Sequence, residues 1–324
     1  MTTDRKISLN NGTQIPIIAS GTFSLPTGGE LPPLNTAEIS EAIARNELKT
    51  KSWILNALKN GYRHLDTAVI YQTERVVGTA MKESGIPREE IFVTTKIPWN
   101  HYSRVAASLD ESLKALGLDY VDLYLIHWPQ TMAYDGDKEF LPRNEDGSWK
   151  VVDSPTFNDV WAEMEKLLKA GKVKAIGVSN FSIKTLEELA KTAKVTPAVN
   201  QVEMHPYLAQ NDLREYCAKK GIAVAAYTPS GYDIVRNDPT IVEIAKKYGV
   251  TSNQVILSWH LSRDTIIIPK SEKDERQKEN ITLPVLSAED LSKISALDRK
   301  ERLCNSPDAN GMVFGWTVEK LGWA

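Results

Sequence analysis

Eight short runs of strand-forming residues recur along this chain, separated by longer stretches with helical spacing. The runs are residues 17–22, 62–66, 91–96, 121–127, 174–179, 198–203, 222–227 and 265–269. Most are continuously apolar and bounded by turn residues, the pattern of strands buried on both faces of a parallel sheet. Between them apolar residues return at helical steps. In 103–116 they are Val105, Leu109, Leu113 and Leu116, with Ser103 as the expected N-cap and Gly117 past the end. After Ser154-Pro155, the residues Phe157, Val160, Trp161, Met164, Leu167 and Leu168 form one stripe before Gly171. Residues 211–220 and 239–248 read similarly. Strand–helix alternation implies βαβ units, and eight of them imply an α/β protein of the (β/α)8 TIM-barrel type. An open doubly wound sheet is the rival arrangement.

No linker, low-complexity segment or repeat in residue identity divides the chain, so residues 1–324 are expected to form a single domain. Two segments exceed the simple alternation. Residues 24–49 carry Pro26, Gly28, Gly29, Pro32 and Pro33 before a helix-like stretch at 36–46; residues 129–153 are polar and turn-rich. Long loops of this kind, here after strands one and four, usually serve as lids or binding loops. The tail aromatics Phe314, Trp316 and Trp323 either close a pocket or pack on a helix.

The charge balance is mild, 39 basic against 42 acidic residues and a net charge of -3. It gives no electrostatic footprint for nucleic acid or anionic membranes. Cys217 and Cys304 lie far apart, so neither a disulfide framework nor a thiolate metal site is expected. The polar N-terminus lacks a signal-peptide core, and no apolar run approaches the roughly 20 residues that span a bilayer. A cytoplasmic location is the expectation.

No two glycines are spaced G-x-G, so the dinucleotide fingerprint G-x-G-x-x-G is absent, as are H-E-x-x-H and G-x-S-x-G. Tyr216 and Lys220 have the spacing of a short-chain dehydrogenase pair but lack the glycine-rich loop such enzymes need. Four other polar residues carry more weight. Asp66, Lys96 and His127 end successive predicted strands, and Tyr71 follows Asp66 by five residues. Each has a bland alternative: Asp66 as a helix cap, Lys96 snorkelling, Tyr71 in packing, His127 as a core histidine. In a barrel, however, strand ends converge on one mouth. A phenol with an ordinary pKa of about 10 is a poor acid at neutral pH. A neighbouring ammonium favours its phenolate, and a carboxylate keeps that ammonium charged. With a neutral imidazole steering a carbonyl, the set makes a general acid for an oxygen that gains negative charge, and the hydride must come from a bound cofactor.

With these residues on the page, the sequence resembles the aldo-keto reductase superfamily over nearly its whole length. The matching stretches are Gly61-Tyr62-Arg63-His64-Leu65-Asp66-Thr67-Ala68, Tyr71 with Glu74 and Val77-Gly78, Thr94-Thr95-Lys96, and Leu125-Ile126-His127-Trp128-Pro129. They continue through Gly177-Val178-Ser179-Asn180-Phe181, Asn200-Gln201, His205-Pro206, Ala226-Tyr227-Thr228-Pro229, Ile268-Pro269-Lys270-Ser271, Arg276 and Glu279-Asn280. The resemblance implies a barrel that uses NADPH without a Rossmann domain. It makes Tyr71 the proton donor, Asp66 and Lys96 its tuning pair, and His127 the residue that orients the carbonyl. It places Ser179, Asn180 and Gln201 at the nicotinamide carboxamide, Tyr227 on the ring, and Thr22, Thr228 and Ser230 along the cofactor. Lys270, Ser271 and Arg276 match the 2′-phosphate clamp, whose Arg fork and Lys point charge suit a dianion. Glu279 and Asn280 match the adenine contacts.

Departures from the family pattern bear on preference. Glu272, directly after the clamp residues Lys270 and Ser271, is placed to repel a 2′-phosphate or to accept from a 2′-hydroxyl, so NADPH preference with some NADH use is expected. Phe23 stands where many members have Trp. Together with Trp99 and Trp128 it is a candidate apolar wall for the substrate. The stretch from Tyr227 to Lys270 is shorter than in aldose reductases, which implies a reduced cofactor loop and faster exchange. The leading expectation is reduction of a small polar, sugar-like carbonyl. Lipophilic or aromatic aldehydes and diketones are one alternative, and a non-catalytic structural or binding role is another. The expected partner is the small carbonyl substrate, and the expected state a monomer or homodimer.

Overall fold

The computed structural model describes residues 5–24, 37–136 and 140–323. A hairpin of β1 (Lys6–Ser8) and β2 (Gln14–Pro16) precedes the barrel. Four barrel strands follow: β3 (Ser20–Gly21), β4 (His64–Asp66), β5 (Phe92–Ile97) and β6 (Val121–Ile126). A short ribbon, β7 (Thr131–Met132) with β8 (Val151–Val152), interrupts them. The barrel then resumes with β9 (Val173–Ser179), β10 (Val199–Glu203), β11 (Ala223–Tyr227) and β12 (Ile266–Ile268). All neighbouring barrel strands pair in parallel in chain order, and Ile18 bridges Ile267 in parallel to join the last strand to the first. The eight predicted strands are therefore the eight of a (β/α)8 barrel, and the open sheet is excluded.

Helices α1 (Ala37–Lys59), α2 (Glu74–Ser84), α3 (Val105–Leu116), α4 (Phe157–Lys169), α5 (Ile183–Ala190) and α6 (Asn211–Lys220) link successive strands. After β11 come α7 (Tyr232–Arg236), α8 (Pro239–Tyr248) and α9 (Ser252–Ser262). After β12 come α10 (Asp274–Ile281) and α11 (Ala288–Ser295). Their starts are written locally. Thr156, Ser182 and Thr251 each accept the N3 amide while the N3 side chain returns the bond, three capping boxes. The expected Ser103 cap is corrected: Ser103 lies inside a 3-10 turn spanning Trp99–Arg104, and α3 starts from Arg104 without a side-chain cap. Gly78 lets α2 cross the end of α3, where a Cβ would lie 2.0 Å from the Leu116 carbonyl oxygen.

The β1–β2 hairpin has no counterpart in the sequence reading. It seats Leu9, Ile15 and Ile17 in the same apolar cluster as the barrel residues Leu123, Leu125, Ala175 and Ile267. Asn10 and Asn11 donate to the carbonyls of Pro197 and Lys174, at the N-terminal ends of β10 and β9. The hairpin thus plugs the bottom and leaves the opposite, C-terminal mouth for chemistry. The helix-like stretch expected at 36–46 runs on as α1 to Lys59. The proline- and glycine-rich half of the expected first lid, residues 25–36, lies outside the described residues, as do residues 137–139 of the second.

Candidate active site

Asp66 and Lys96 reach the mouth because β4 and β5 pair in register, Asp66 beside Thr94, with Lys96 two residues further along β5. Both side chains are buried, that of Lys96 fully. Lys96 Nζ donates to Asp66 Oδ1 at 2.6 Å and to the Thr67 carbonyl at 2.9 Å. The other carboxylate oxygen, Oδ2, accepts from Gln201 Nε2 at 2.7 Å across the barrel. Gln201, expected at the nicotinamide, therefore also orients Asp66. Burial pulls the Lys96 ammonium below its usual range, and Asp66 opposes that.

Tyr71 ends a 3-10 turn, Val69–Tyr71, that follows β4. Lys96 Nζ lies 5.0 Å from its ring centroid. The His127 ring packs edge-on at 5.6 Å and Phe23 at 5.1 Å. Among the described residues the Tyr71 hydroxyl makes no hydrogen bond. The sequence reading has Lys96 lowering the Tyr71 pKa; in the structure burial, with the Asp66 charge, pushes it well above the ordinary phenol value. Burial is the larger cause, and the Asp66 charge adds to it. Tyr71 is thus a protonated donor. His127 is driven well below its usual range by burial, then by the Lys96 charge, so its imidazole is neutral. His127 Nδ1 is buried without a hydrogen-bond partner among the described residues.

The expected cofactor residues line the same mouth. Asn180 holds a left-handed backbone at φ 65° and donates to the His127 carbonyl at 2.9 Å and to Ser179 Oγ at 3.1 Å. Ser179 donates to the Gln201 carbonyl at 2.8 Å. Tyr227 Oη donates to Asn180 Oδ1 at 2.7 Å and accepts from Asn305 Nδ2 at 2.7 Å. Thr22 donates to the Asp66 carbonyl at 3.0 Å. Thr228 also has a left-handed backbone, φ 49°. Ser230 bonds Asn253, whose Nδ2 donates to Asn280 Oδ1 at 2.6 Å.

Lys270 sits two residues past β12 and pairs with Glu272 at 2.6 Å, and Glu272 also takes Lys49 of α1 at 2.5 Å. Hydrogen bonds from Lys270 and then Lys49 hold the Glu272 carboxyl below its usual range. Ser271 accepts the Lys273 amide. Arg276 and Glu279 lie on α10, and Arg276 has no ion-pair partner among the described residues. Phe23 is 45% exposed, whereas Trp99 and Trp128 are buried. The tail decides their surroundings: Phe314 packs at 4.9 Å from Trp99 and 4.8 Å from Trp128, and Trp323 at 5.9 Å from Trp128. The sequence reading missed Asn253, Asn305 and Glu203, none of which carries a short-range motif.

Comparison with known proteins agrees with this arrangement. The model of the Aldo/keto reductase family matches residues 20–299. Glycerol 2-dehydrogenase (NADP(+)) of Saccharomyces cerevisiae is 43% identical over 305 residues, covering 91% of this chain and 91% of that protein. Glyoxal reductase of Bacillus subtilis is 39% identical over 93% of this chain and 96% of its own length. D-galacturonate reductase of Hypocrea jecorina is 39% identical over 87% of each. The solved aldose reductase of Schistosoma japonicum superposes with a TM-score of 0.82 at 32% identity, covering 93% of this chain and 94% of that one. The chain belongs to the aldo/keto reductase family.

Proposed function

We propose that this protein, acting as one barrel domain, reduces aldehydes or ketones to alcohols with NADPH, and that Tyr71 is the general acid. The observation that carries the reading is the fully buried Lys96–Asp66 pair set against Tyr71, with a neutral His127 beside it. The substrate oxygen is held by the His127 imidazole. As negative charge grows there, the Tyr71 hydroxyl gives up its proton and the Lys96 ammonium offsets the phenolate left behind. Asp66, fixed by Gln201, keeps Lys96 aimed. Lys96 uses two of its three donors on Asp66 and Thr67, which leaves one for Tyr71.

The donors near β12 fit a phosphate monoester: an ammonium at Lys270, a hydroxyl at Ser271 and the guanidinium of Arg276, which has no ion-pair partner among the described residues. Ser179, Asn180 and Gln201 would hold a carboxamide, Tyr227 would lie on the ring, and Thr22, Thr228, Ser230, Glu279 and Asn280 would line the remainder. NADPH, when bound, supplies the hydride. Lys270 is shared with Glu272, so some NADH use accompanies the NADPH preference. The short Tyr227–Lys270 stretch implies rapid cofactor release.

Relatives named for glycerol, glyoxal and galacturonate support a small polar carbonyl as substrate. A second reading, lipophilic or aromatic carbonyls, is favoured by Phe23 over Tyr71 and by the Trp99–Trp128–Phe314 cluster. NADPH oxidation over glyceraldehyde, pentoses, uronates and aromatic aldehydes separates the two. No turnover on any of them, with NADPH binding intact, would favour a non-catalytic role.

A further inference from the structure

Glu203 ends β10, in register beside Tyr227 of β11, and its side chain is fully buried. A carboxylate there needs partners, and it has them on one oxygen. Oε1 accepts the main-chain N–H of Leu303 at 2.6 Å, that of Cys304 at 2.9 Å, and His205 Nε2 at 3.1 Å. Burial alone would raise this carboxyl, but the bonds from His205 and the two amides outweigh it and hold it below its usual range. Arg302 Nη1 stands 4.0 Å from Oε2, and its guanidinium lies 3.5 Å over the Trp323 ring.

Leu303 and Cys304 belong to no helix or strand, and these bonds tie their main chain to the end of β10. The next residue is Asn305, which donates to Tyr227 Oη, which in turn donates to Asn180 Oδ1. One line of contacts therefore runs from a buried carboxylate through the tail to the residues beside His127. Bonds to a charged acceptor are roughly twice as strong as neutral ones, which suits an anchor made of two main-chain amides.

We propose that Glu203 is a positioning residue: it latches segment 302–305 over the mouth and thereby sets Tyr227 and Asn180 through Asn305. Its effect on binding rests on the nicotinamide roles proposed above for Tyr227 and Asn180; the latch itself does not. Glu203→Gln keeps the volume, removes the charge and lets a donor face the tail amides.

The test compares Glu203→Gln, Asn305→Ala and the double variant by amide hydrogen exchange, by NADPH titration through tryptophan fluorescence, and by steady-state kinetics. Glu203→Gln is expected to speed exchange at Leu303 and Cys304 by about tenfold or more. It should also raise the NADPH Kd and the carbonyl KM severalfold, with kcat changing less. Asn305→Ala should reproduce the binding loss without changing exchange at 303 and 304. The double variant should bind no worse than Glu203→Gln, as expected for one shared path. Unchanged exchange in Glu203→Gln would overturn the latch. Faster exchange with unaltered Kd and KM would reduce Glu203 to a structural role, and an unaltered Kd in Asn305→Ala would overturn the path through the tail. Wild-type protein that binds no NADPH would instead defeat the proposed function, and exchange would then decide the latch alone.

Discussion

Lys96 and Lys270 stand near the C-terminal ends of two strands of one barrel, and each pairs with a carboxylate at 2.6 Å. The Lys96 side chain is 0% exposed and its Asp66 partner 3%; Lys270 is 35% exposed and Glu272 30%. Equal separations hide unequal physics. Water and salt screen the outer pair, while the inner pair interacts through a medium of low dielectric and cannot exchange its partner for solvent. The inner pair holds its charges in place, as the proposed proton transfer requires. The outer one is negotiable, and its cation is available to a competing anion.

Replacing each lysine by methionine breaks or upholds that contrast most directly. Lys96→Met leaves Asp66 as a buried charge with only Gln201 and is expected to cost about 3–5 kcal/mol of stability and all measurable turnover. Lys270→Met should cost under about 1 kcal/mol. Urea denaturation measures both, and similar losses would erase the distinction. Next in size is Tyr71→Phe. Removing the hydroxyl should lower kcat by about 10²–10⁴ while NADPH affinity and stability stay unchanged. Retained turnover would remove Tyr71 from the acid role.

The inner region was the legible one. Asp66, Lys96 and His127 sit at strand ends, and strand ends follow from runs of apolar residues, so a barrel assignment carries these three to one mouth. Most of the eight strands could be read because burial on both faces writes itself as nearly continuous apolar sequence. The N-terminal hairpin could not: its three-residue strands are too short for a period to show. Asn253 and Asn305 act by side-chain bonds spanning 27 and 78 residues, and no local spacing encodes such distances. Glu203 closed a predicted strand, yet besides His205 its partners are main-chain amides about 100 residues away. The direction of the Tyr71 shift was misread for a related reason. The burial that raises the phenol comes from packing across the mouth, which sequence order does not show.

Acid sharpens the same contrast at smaller scale. Burial lowers His64 to about 4 and His260 to about 3, and drives His127 well below its usual range. Each of these imidazoles is neutral in the folded chain and protonates on unfolding at an ordinary pKa of 6.5. Their contribution is fully present above pH 6.5 and declines as the pH falls from there toward the folded values. The expected slope is about 1.4 kcal/mol per pH unit for each histidine. Urea midpoints between pH 7.5 and 5 measure it, and a flat profile would mean that protons reach these rings in the folded state.

The smallest effect tests the outer pair by its own logic. Glu272 occupies Lys270 and also draws in Lys49, so its carboxylate competes with any phosphate for the same ammonium. Glu272→Gln removes the competitor and one negative charge. NADPH affinity should then rise by a few fold, within the ~1 kcal/mol range of an exposed pair. NADH affinity should hold or fall, because nothing on NADH takes up the freed cation. The gain should shrink as ionic strength rises, since salt screens an exposed pair and scarcely touches a buried one. Fluorescence titration with both cofactors at low and high salt reads all of this. A loss of NADPH affinity in Glu272→Gln would mean that the carboxylate aims Lys270 at the phosphate, which would make the outer pair a positioned one like the inner.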